Sequence, residues 1–513
     1  MENLFKNKKL FFALTLLSAA ILILAFPKFN IFPLAWVALV PFIIVLHGIT
    51  PGKGFWYGIS FGIVFSMSLF IWVYPVAVEG WIFASIFYAL PFGVFGAVAA
   101  YFYKNTESTD YLKRLIFIPS AYVLIAEYLK ALKPMGMTCG VLAISQYKFL
   151  PIMQISDIFG VFGVSWLIVL FNAYLAEIII MYGVRPSGCV RPDPQKKLDL
   201  VIPPLIVILC LFYGFYKLSA NYKTGEPFKI SIVQPNINQD VKWDRSYFDE
   251  TLNKLSALTE KAVPEKPGLE KPSLVIWPET ALPDVLLLNY NLSSTINTFV
   301  NNNRINLLTG SLDFYGNKLY NSAFLIVPDN FVKEKYDKMH LFPMGEYNPL
   351  KDILPHFKEL DRIGKYSIGK KHTVFDVESR KFSTLICLES IFSYLSRDAV
   401  LKGAQFLVTI TNDAWFGRTN AAEQHLALSA ARAIENRVYM VFAANTGYSA
   451  FIDPCGRIYK VSNLFEDAVL TDYIYMANKR SIFTRFGEWF IIICLIITVS
   501  GIWHCKNCKI MKK

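Results

Sequence analysis

Eight apolar runs, each of about the length that crosses a bilayer as a helix, constrain this chain more than any other feature. A helical span takes roughly 20 residues. Runs of that order cover residues 10–26, 31–47, 55–74, 81–103, 115–132, 159–184, 200–216 and 486–503. In lipid the backbone must satisfy its own polar groups, so runs like these are read as helices. The composition agrees: the mean hydropathy is +0.38, and 54% of residues are hydrophobic against 18% charged. The net charge of +12 is not a nucleic-acid footprint, because the basic residues sit at the ends of apolar runs, where they set membrane topology. No nucleic-acid partner is expected.

Lys6, Lys8 and Lys9 precede the first run, as in a signal peptide. No small-residue cleavage site follows and further runs do, so a retained helix is expected. With the N-terminus inside, the cytoplasmic loops hold Lys53, then Lys104, Lys113 and Arg114, then Arg185, Arg191, Lys196 and Lys197. The C-terminal tail adds Lys506, Lys509, Lys512 and Lys513, whereas the opposite short loops offer mainly Lys28, Lys133 and Lys148. This bias puts both ends in the cytoplasm and the long segment between runs seven and eight outside it.

Three parts follow: residues 1–220 with seven spans, 221–481 as an extracytoplasmic domain, and 482–513 with the last span and a cytoplasmic tail. The middle part is richer in polar residues and Pro. Its short apolar stretches at 228–234, 273–277, 305–309, 323–327, 382–387, 406–411 and 438–444 read as strands. Residues 248–262 and 421–437 read as helices, the second with Leu426, Ala430, Ala433 and Ile434 near one face. This alternation makes an α/β domain. Residues 264–272 form a loop rich in Pro, Glu and Lys.

The eight cysteines form no disulfide framework: Cys210 and Cys494 fall in spans, and only Cys387 and Cys455 lie in the middle domain. Cys505 and Cys508 form one C-x-x-C without the second ligand pair that a structural zinc site needs. No metal or cofactor is expected.

Three motifs carry chemistry. The run Val275-Ile276-Trp277-Pro278-Glu279 ends a strand at a proline and leaves a carboxylate at the sheet mouth. The stretch from Tyr336 to Tyr347 gathers Lys338, His340 and Glu346 in one loop. Leu385-Ile386-Cys387-Leu388-Glu389-Ser390 delivers a thiol at a strand end before a helix, whose N-terminus would favour thiolate. Singly, each has an ordinary reading: an inert core cysteine, a solvated glutamate, a surface lysine. Together they complement one another, because a thiol nucleophile needs a base and the attacked carbonyl needs a positive partner.

Glu279, Lys338 and Cys387, in that order, resemble the nitrilase superfamily. Further stretches are similar to the apolipoprotein N-acyltransferases, its membrane-bound bacterial branch. These are Trp-Pro-Glu-Thr, Lys338 to Tyr347, Ile-Cys-Leu-Glu-Ser, Thr411 to Gly417, Val233 to Asn236, Lys242-Trp243-Asp244, and Asn445-Thr446-Gly447. The eight-span layout matches as well. The resemblance implies a polytopic α-helical membrane domain plus an αββα nitrilase-like sandwich, in the bacterial inner membrane with the catalytic domain on the periplasmic side. It also implies a reaction: a phospholipid gives its sn-1 acyl chain to Cys387 as a thioester, and the N-terminal amine of a diacylglyceryl-cysteine apolipoprotein takes the chain as an amide. By matched position Glu279 is the general base. Lys338 stabilises the oxyanion and helps hold the thiolate, and Glu346 supports the site. Trp243, Glu389, Trp415 and Phe416 surround the pocket and its lids. Leu388 departs from the aromatic residue common after the cysteine.

Other residues carry less. Trp277, Trp415 and Phe416 offer contacts for acyl chains, or ordinary packing. His340 is close enough to Lys338 to hydrogen-bond within the site, and His425 reads as structural. Glu127, Asn172 and Glu177 lie in or near spans, where polar groups either mark function or join helices. Two other functional classes stay open at this point: a membrane-tethered nitrilase or amidase that hydrolyses a small amide or nitrile, and a scaffold with a decayed enzyme domain.

Overall fold

The computed structural model describes residues 7–107, 110–132, 136–182, 200–239, 242, 244–263, 270–343, 345–347, 366–477 and 479–511. The basic residues Lys6, Lys133, Arg185, Arg191, Lys196, Lys197, Lys512 and Lys513, together with Cys189, Trp243, Met344 and most of the loop at 264–272, lie outside the described residues. The chain divides into two compact units, one of residues up to Ser219 and from Glu488 onward, the other Ala220–Gly487.

The first unit is helical. Its segments are Lys8–Ala25, Val40–His47 after a 3-10 turn at Phe32–Trp36, Pro51–Leu69, Val78–Asn105, Tyr111–Ala121 continued by the π-helical Tyr122–Tyr128, Ser156–Tyr182, Ile202–Leu218 and Trp489–Met511. Among the described residues four helices are long and apolar enough to cross a membrane: Lys8–Ala25, Val78–Asn105, Ser156–Tyr182 and Trp489–Asn507. The second apolar run is interrupted because Pro33 and Pro41 cannot donate to a continuous helix. Helices Pro51–Leu69 and Val78–Asn105 pack backbone to backbone through glycines. A Cβ at Gly62 would lie 2.8 Å from the Ala89 Cα, the close small-residue packing that suits helices in lipid.

Polar side chains in this unit join its elements. Asn172 donates to the Ala35 carbonyl at 2.8 Å and accepts from the Leu39 amide at 2.9 Å, replacing bonds lost at the helix break. Glu127 accepts from the Leu142 amide at 2.7 Å, and Glu177 receives Arg114 in a two-point pair at 2.7 and 2.8 Å.

The second unit is an αββα sandwich. One sheet has the order β13-β1-β2-β4-β5-β6, with β3 also paired to β4. Its strands are β1 Phe228–Gln234, β2 Leu274–Ile276, β3 Leu282–Val285, β4 Leu307–Tyr315, β5 Lys318–Val327, β6 Asn330–Asp337 and β13 Ala468–Ile474. The other sheet has the order β12-β11-β10-β9-β8-β7. It comprises β7 Phe375–Val377, β8 Arg380–Ile386, β9 Phe406–Thr411, β10 Tyr439–Ala444, β11 Ala450–Ile452 and β12 Ile458–Val461. β1, β2 and β4 run parallel, as do β8, β9 and β10.

The central strands β2 and β10 are apolar throughout because both of their faces are covered. Phe228, Ile230, Ile232, Leu274 and Ile276 point into the space between the sheets, against Phe382, Ile386, Phe406, Val408, Ile410 and Val441. Val233, Val275 and Trp277 point the other way, against Leu252, Leu255 and Leu258 of helix Phe248–Ala262 and Leu292, Ile296 and Val300 of helix Tyr290–Asn303. Each fully buried large aliphatic or aromatic side chain contributes about 1.5–3 kcal/mol. Helix Ala421–Asn436 departs from the single apolar face expected of it. It is buried on all sides, because it packs against β10 and also against helices Ser393–Leu401 and Ile482–Phe486.

Candidate active site

Three strand ends of the second unit meet at the carboxyl-terminal edge of the parallel strands, where α/β folds bind ligands. After β2 the chain keeps one more ladder bond, from the Trp277 amide to the Leu308 carbonyl at 2.8 Å. Pro278 then ends the strand and Glu279 turns inward, buried. β4 passes so close that a Cβ at Gly310 would lie 2.7 Å from the Glu279 Cα. Thr280 follows in the left-handed region at φ 45°. Buried Lys242 holds this turn, with its Nζ donating to the Glu279 carbonyl at 3.2 Å and to Thr280 Oγ1 at 2.7 Å. Burial lowers the Lys242 ammonium to about 8, against the charge of Glu279.

Lys338 follows β6 and its amide bonds the Asn321 carbonyl of β5 at 2.9 Å. Its side chain is only 1% exposed. Nζ donates to Glu346 Oε1 at 2.8 Å and lies 3.5 Å from Glu279 Oε1. Asn321 bridges both carboxylates, donating to Glu279 Oε1 at 2.7 Å and Glu346 Oε1 at 3.1 Å. The other Glu279 oxygen accepts from the Asn412 amide at 2.9 Å. Burial by itself would lower the Lys338 ammonium, but Glu346 and Glu279 outweigh it and hold the ammonium well above its ordinary range.

Cys387 comes directly after β8 and opens a 3-10 turn, Cys387–Ile391. Its φ is +53°, a conformation that only surrounding structure keeps in a non-glycine residue. The thiol senses Glu279, Lys338, Asp413 and Glu346, so the three motif residues share one electrostatic neighbourhood. The surroundings oppose the thiolate that a helix N-terminus would favour. Burial and the Glu279 carboxylate push the thiol well above its usual range, Asp413 and Glu346 add to this, and Lys338 opposes without prevailing. A single 3-10 turn supplies too few aligned peptides to offset that.

Glu389 sits under the turn and clamps two motifs together. Its Oε1 accepts from the Tyr336 hydroxyl at 2.8 Å and the amides of Met339 and His340 at 2.6 and 2.9 Å, while Oε2 accepts from the Ile386 amide at 2.8 Å. Burial raises this carboxyl to about 7, against the Ile386 amide, the Lys338 charge and the His340 amide. Glu389→Gln points an NH2 at one of those donors. It should cost about 1–3 kcal/mol, read as a melting temperature lower by about 2–4 °C per kcal/mol, together with slowed turnover. A variant that melts and turns over like wild type would remove the clamp.

The remaining sequence candidates divide. Trp415 is 57% exposed and Phe416 is partly buried, both in the 3-10 turn Asp413–Phe416 after β9. Trp277 is not an acyl-chain contact. It is fully buried in the helix-facing core, with Nε1 bonded to Thr259 Oγ1 at 2.9 Å. Leu388 is buried. The His340 ring lies tilted against Phe392 with centroids 4.0 Å apart, and its Nδ1 is 2.7 Å from the Tyr394 hydroxyl. Sequence reasoning did not single out Asn321 or Asn412. Asn412 also takes part in a lattice of amides, accepting from Asn445, which in turn bonds both polar groups of Ile237. That lattice accounts for the asparagine of the Asn445–Gly447 stretch, and the Asn236 backbone amide joins it at the Asn445 carbonyl, 3.0 Å away. Among the described residues no group of three or more His, Cys, Asp or Glu is arranged to hold a metal ion.

Two family models match this chain: the carbon-nitrogen hydrolase model over residues 229–481 and the apolipoprotein N-acyltransferase N-terminal domain model over residues 18–174. An apolipoprotein N-acyltransferase of Geobacter metallireducens is 34% identical over 94% of this chain and 93% of its own length. Apolipoprotein N-acyltransferase 1 of Treponema denticola is 28% identical over 99% of each. A third relative of that name, from Chlorobaculum tepidum, is 29% identical over 94% of each.

Proposed function

The chain belongs to the apolipoprotein N-acyltransferase family, and from that membership we propose a two-step acyl transfer from phospholipid to lipoprotein through Cys387. It is a membrane acyltransferase that N-acylates lipoproteins. The observation that carries the mechanism is the buried Lys338 ammonium held between Glu279 and Glu346, with the Cys387 thiol under the influence of all three.

In the first step Glu279 takes the proton from the Cys387 thiol as sulfur attacks the sn-1 ester carbon. Lys338 stabilises the oxyanion. As the tetrahedral species collapses, the glycerol oxygen leaves with the proton from Glu279, giving a thioester and a lysophospholipid. In the second step the α-amine of the diacylglyceryl-cysteine attacks the thioester and passes a proton to Glu279. Sulfur leaves, is reprotonated, and the amide is released. Trp415, exposed, and Phe416 beside it are suited to contact acyl chains, as is Trp243.

The proposal includes eight spans, both termini in the cytoplasm, and the domain of residues 221–481 on the periplasmic side of the inner membrane. The basic-loop bias supports this. Both substrates are lipids or lipid-anchored, and an enzyme fixed in the same membrane replaces a search through water with a confined encounter. Reporter fusions near residue 190 and near residue 350 should report opposite sides, and finding both on one side would end the eight-span reading. The reaction is tested by incubating purified protein with a labelled-acyl phospholipid and a diacylated lipopeptide. Mass spectrometry should find a triacylated peptide and lysophospholipid. Free fatty acid with unchanged lipopeptide would point instead to a hydrolase.

A further inference from the structure

The left-handed conformation of Cys387 needs something to hold it, and the triad does not. Its carbonyl oxygen is engaged from below by two buried side chains. Ser390 Oγ donates to it at 3.1 Å, and His425 Nε2 lies 3.1 Å from it. The same Nε2 is 2.8 Å from Ser390 Oγ. On the other side of the ring, His425 Nδ1 is 3.1 Å from Asp413 Oδ1, which also accepts from Thr411 Oγ1 at 3.0 Å. Phe442 packs edge-on against the imidazole at 5.0 Å, and Ser429 Oγ donates to Ser390 Oγ at 2.9 Å.

Ser390 has one hydroxyl hydrogen and two acceptors within reach, the Cys387 carbonyl and His425 Nε2, so Ser390 and His425 together hold that carbonyl. The Ser390 oxygen also accepts from Ser429. His425 Nδ1 faces the Asp413 carboxylate, which fixes the plane of the ring. Glu435 and Arg432 of the same helix are paired with each other at 3.3 Å.

We propose that His425 is a positioning residue for the nucleophile: paired with Asp413, it ties down the Cys387 carbonyl directly and through Ser390, and so holds the left-handed turn that presents the thiol. His425 does not touch the reacting atoms. It acts on the backbone that carries them, and a thiol placed off line loses rate rather than substrate affinity. The turn is otherwise anchored through Glu389 at the Ile386 amide, so the two anchors grip opposite sides of Cys387.

The inference rests on Cys387 being the acylated residue. The test is single-turnover acylation of the full-length protein by a phospholipid, with the acyl mass followed on the Cys387 peptide. His425→Phe keeps a ring and removes both nitrogens. His425→Gln restores a side-chain amide donor near the position of Nε2. The Phe variant should acylate about 10–100-fold more slowly at saturating donor, with unchanged half-saturation, and the Gln variant should recover most of the loss. Wild-type rates in the Phe variant, a loss confined to half-saturation, or a Gln variant as slow as the Phe variant would overturn the proposal. Should the Phe variant fail to fold, Ser390→Ala decides: a lower maximal rate at unchanged half-saturation upholds the proposal, and a wild-type rate overturns it. Wild-type protein in the same experiment keeps the two questions apart. No acyl mass on Cys387 in wild type ends the nucleophile reading itself, whereas normal acylation of both wild type and the variants ends only the positioning role.

Discussion

Phospholipid given to the purified protein without an acceptor should add one acyl chain to the peptide that carries Cys387 and release lysophospholipid. A thioester mechanism divides the transfer, and the first product leaves before the amine enters. Diacylated lipopeptide added afterwards should discharge the chain into triacylated product, and initial rates with both substrates varied should follow ping-pong patterns. Cys387→Ser should abolish turnover. The resting thiol is held neutral by burial and by Glu279, so the nucleophile forms only as the base accepts its proton, and a serine hydroxyl is far harder to ionise. Cys455 is the internal control. It is buried in the same domain, and its thiol is pushed up by burial and by Asp453. Acyl mass on Cys455, or a Cys387→Ser variant with full activity, would sink the mechanism.

Lys338→Met should lower the maximal rate by a factor of about 100 or more, because the ammonium counts most when the oxyanion forms. Donor affinity should change little. The same substitution strips the positive partner from two carboxylates, the buried Glu279 and the partly buried Glu346, that both accept from one Asn321 amide. Breaking a buried pair in this way costs about 3–5 kcal/mol, so the variant should also melt earlier. Adding Glu346→Gln to Lys338→Met removes the surplus charge and should restore much of the stability without restoring the rate. That split separates a charge required by the transition state from one required only by the fold. Recovery of both together would assign Lys338 to stability alone, and an unaltered rate in the single variant would remove it from the reaction.

How far the residue order goes depends on whether a property is local. Bilayer thickness translates directly into run length, so the apolar helices were legible, as were β1, β9 and helix Phe248–Ala262, whose bounds were read residue for residue. The strands that escaped notice include all four sheet edges: β6, β7, β12 and β13. Edge strands have polar surroundings and carry charge. β6 alone holds Lys333, Glu334, Lys335 and Asp337, a pattern that blunts sheet edges and hides the apolar alternation.

The motif order Glu279, Lys338, Cys387 and the membrane character were set by the sequence, because each motif is a strand end with its own punctuation. Tertiary structure alone decided the rest. Asn321 lies in the middle of β5 with no motif around it, and only the pairing of β5 with β4 and β6 brings its amide between two carboxylates. His425 reached the underside of Cys387 because helix Ala421–Asn436 packs against the 3-10 turn that follows β8. The ionisation of the thiol could not be read from its neighbours in sequence. A strand end before a helix suggested thiolate, but the deciding charges come from three separate segments, those of Glu279, of Lys338 with Glu346, and of Asp413. Electrostatic energy sums over distance in space and over burial, neither of which a linear order contains.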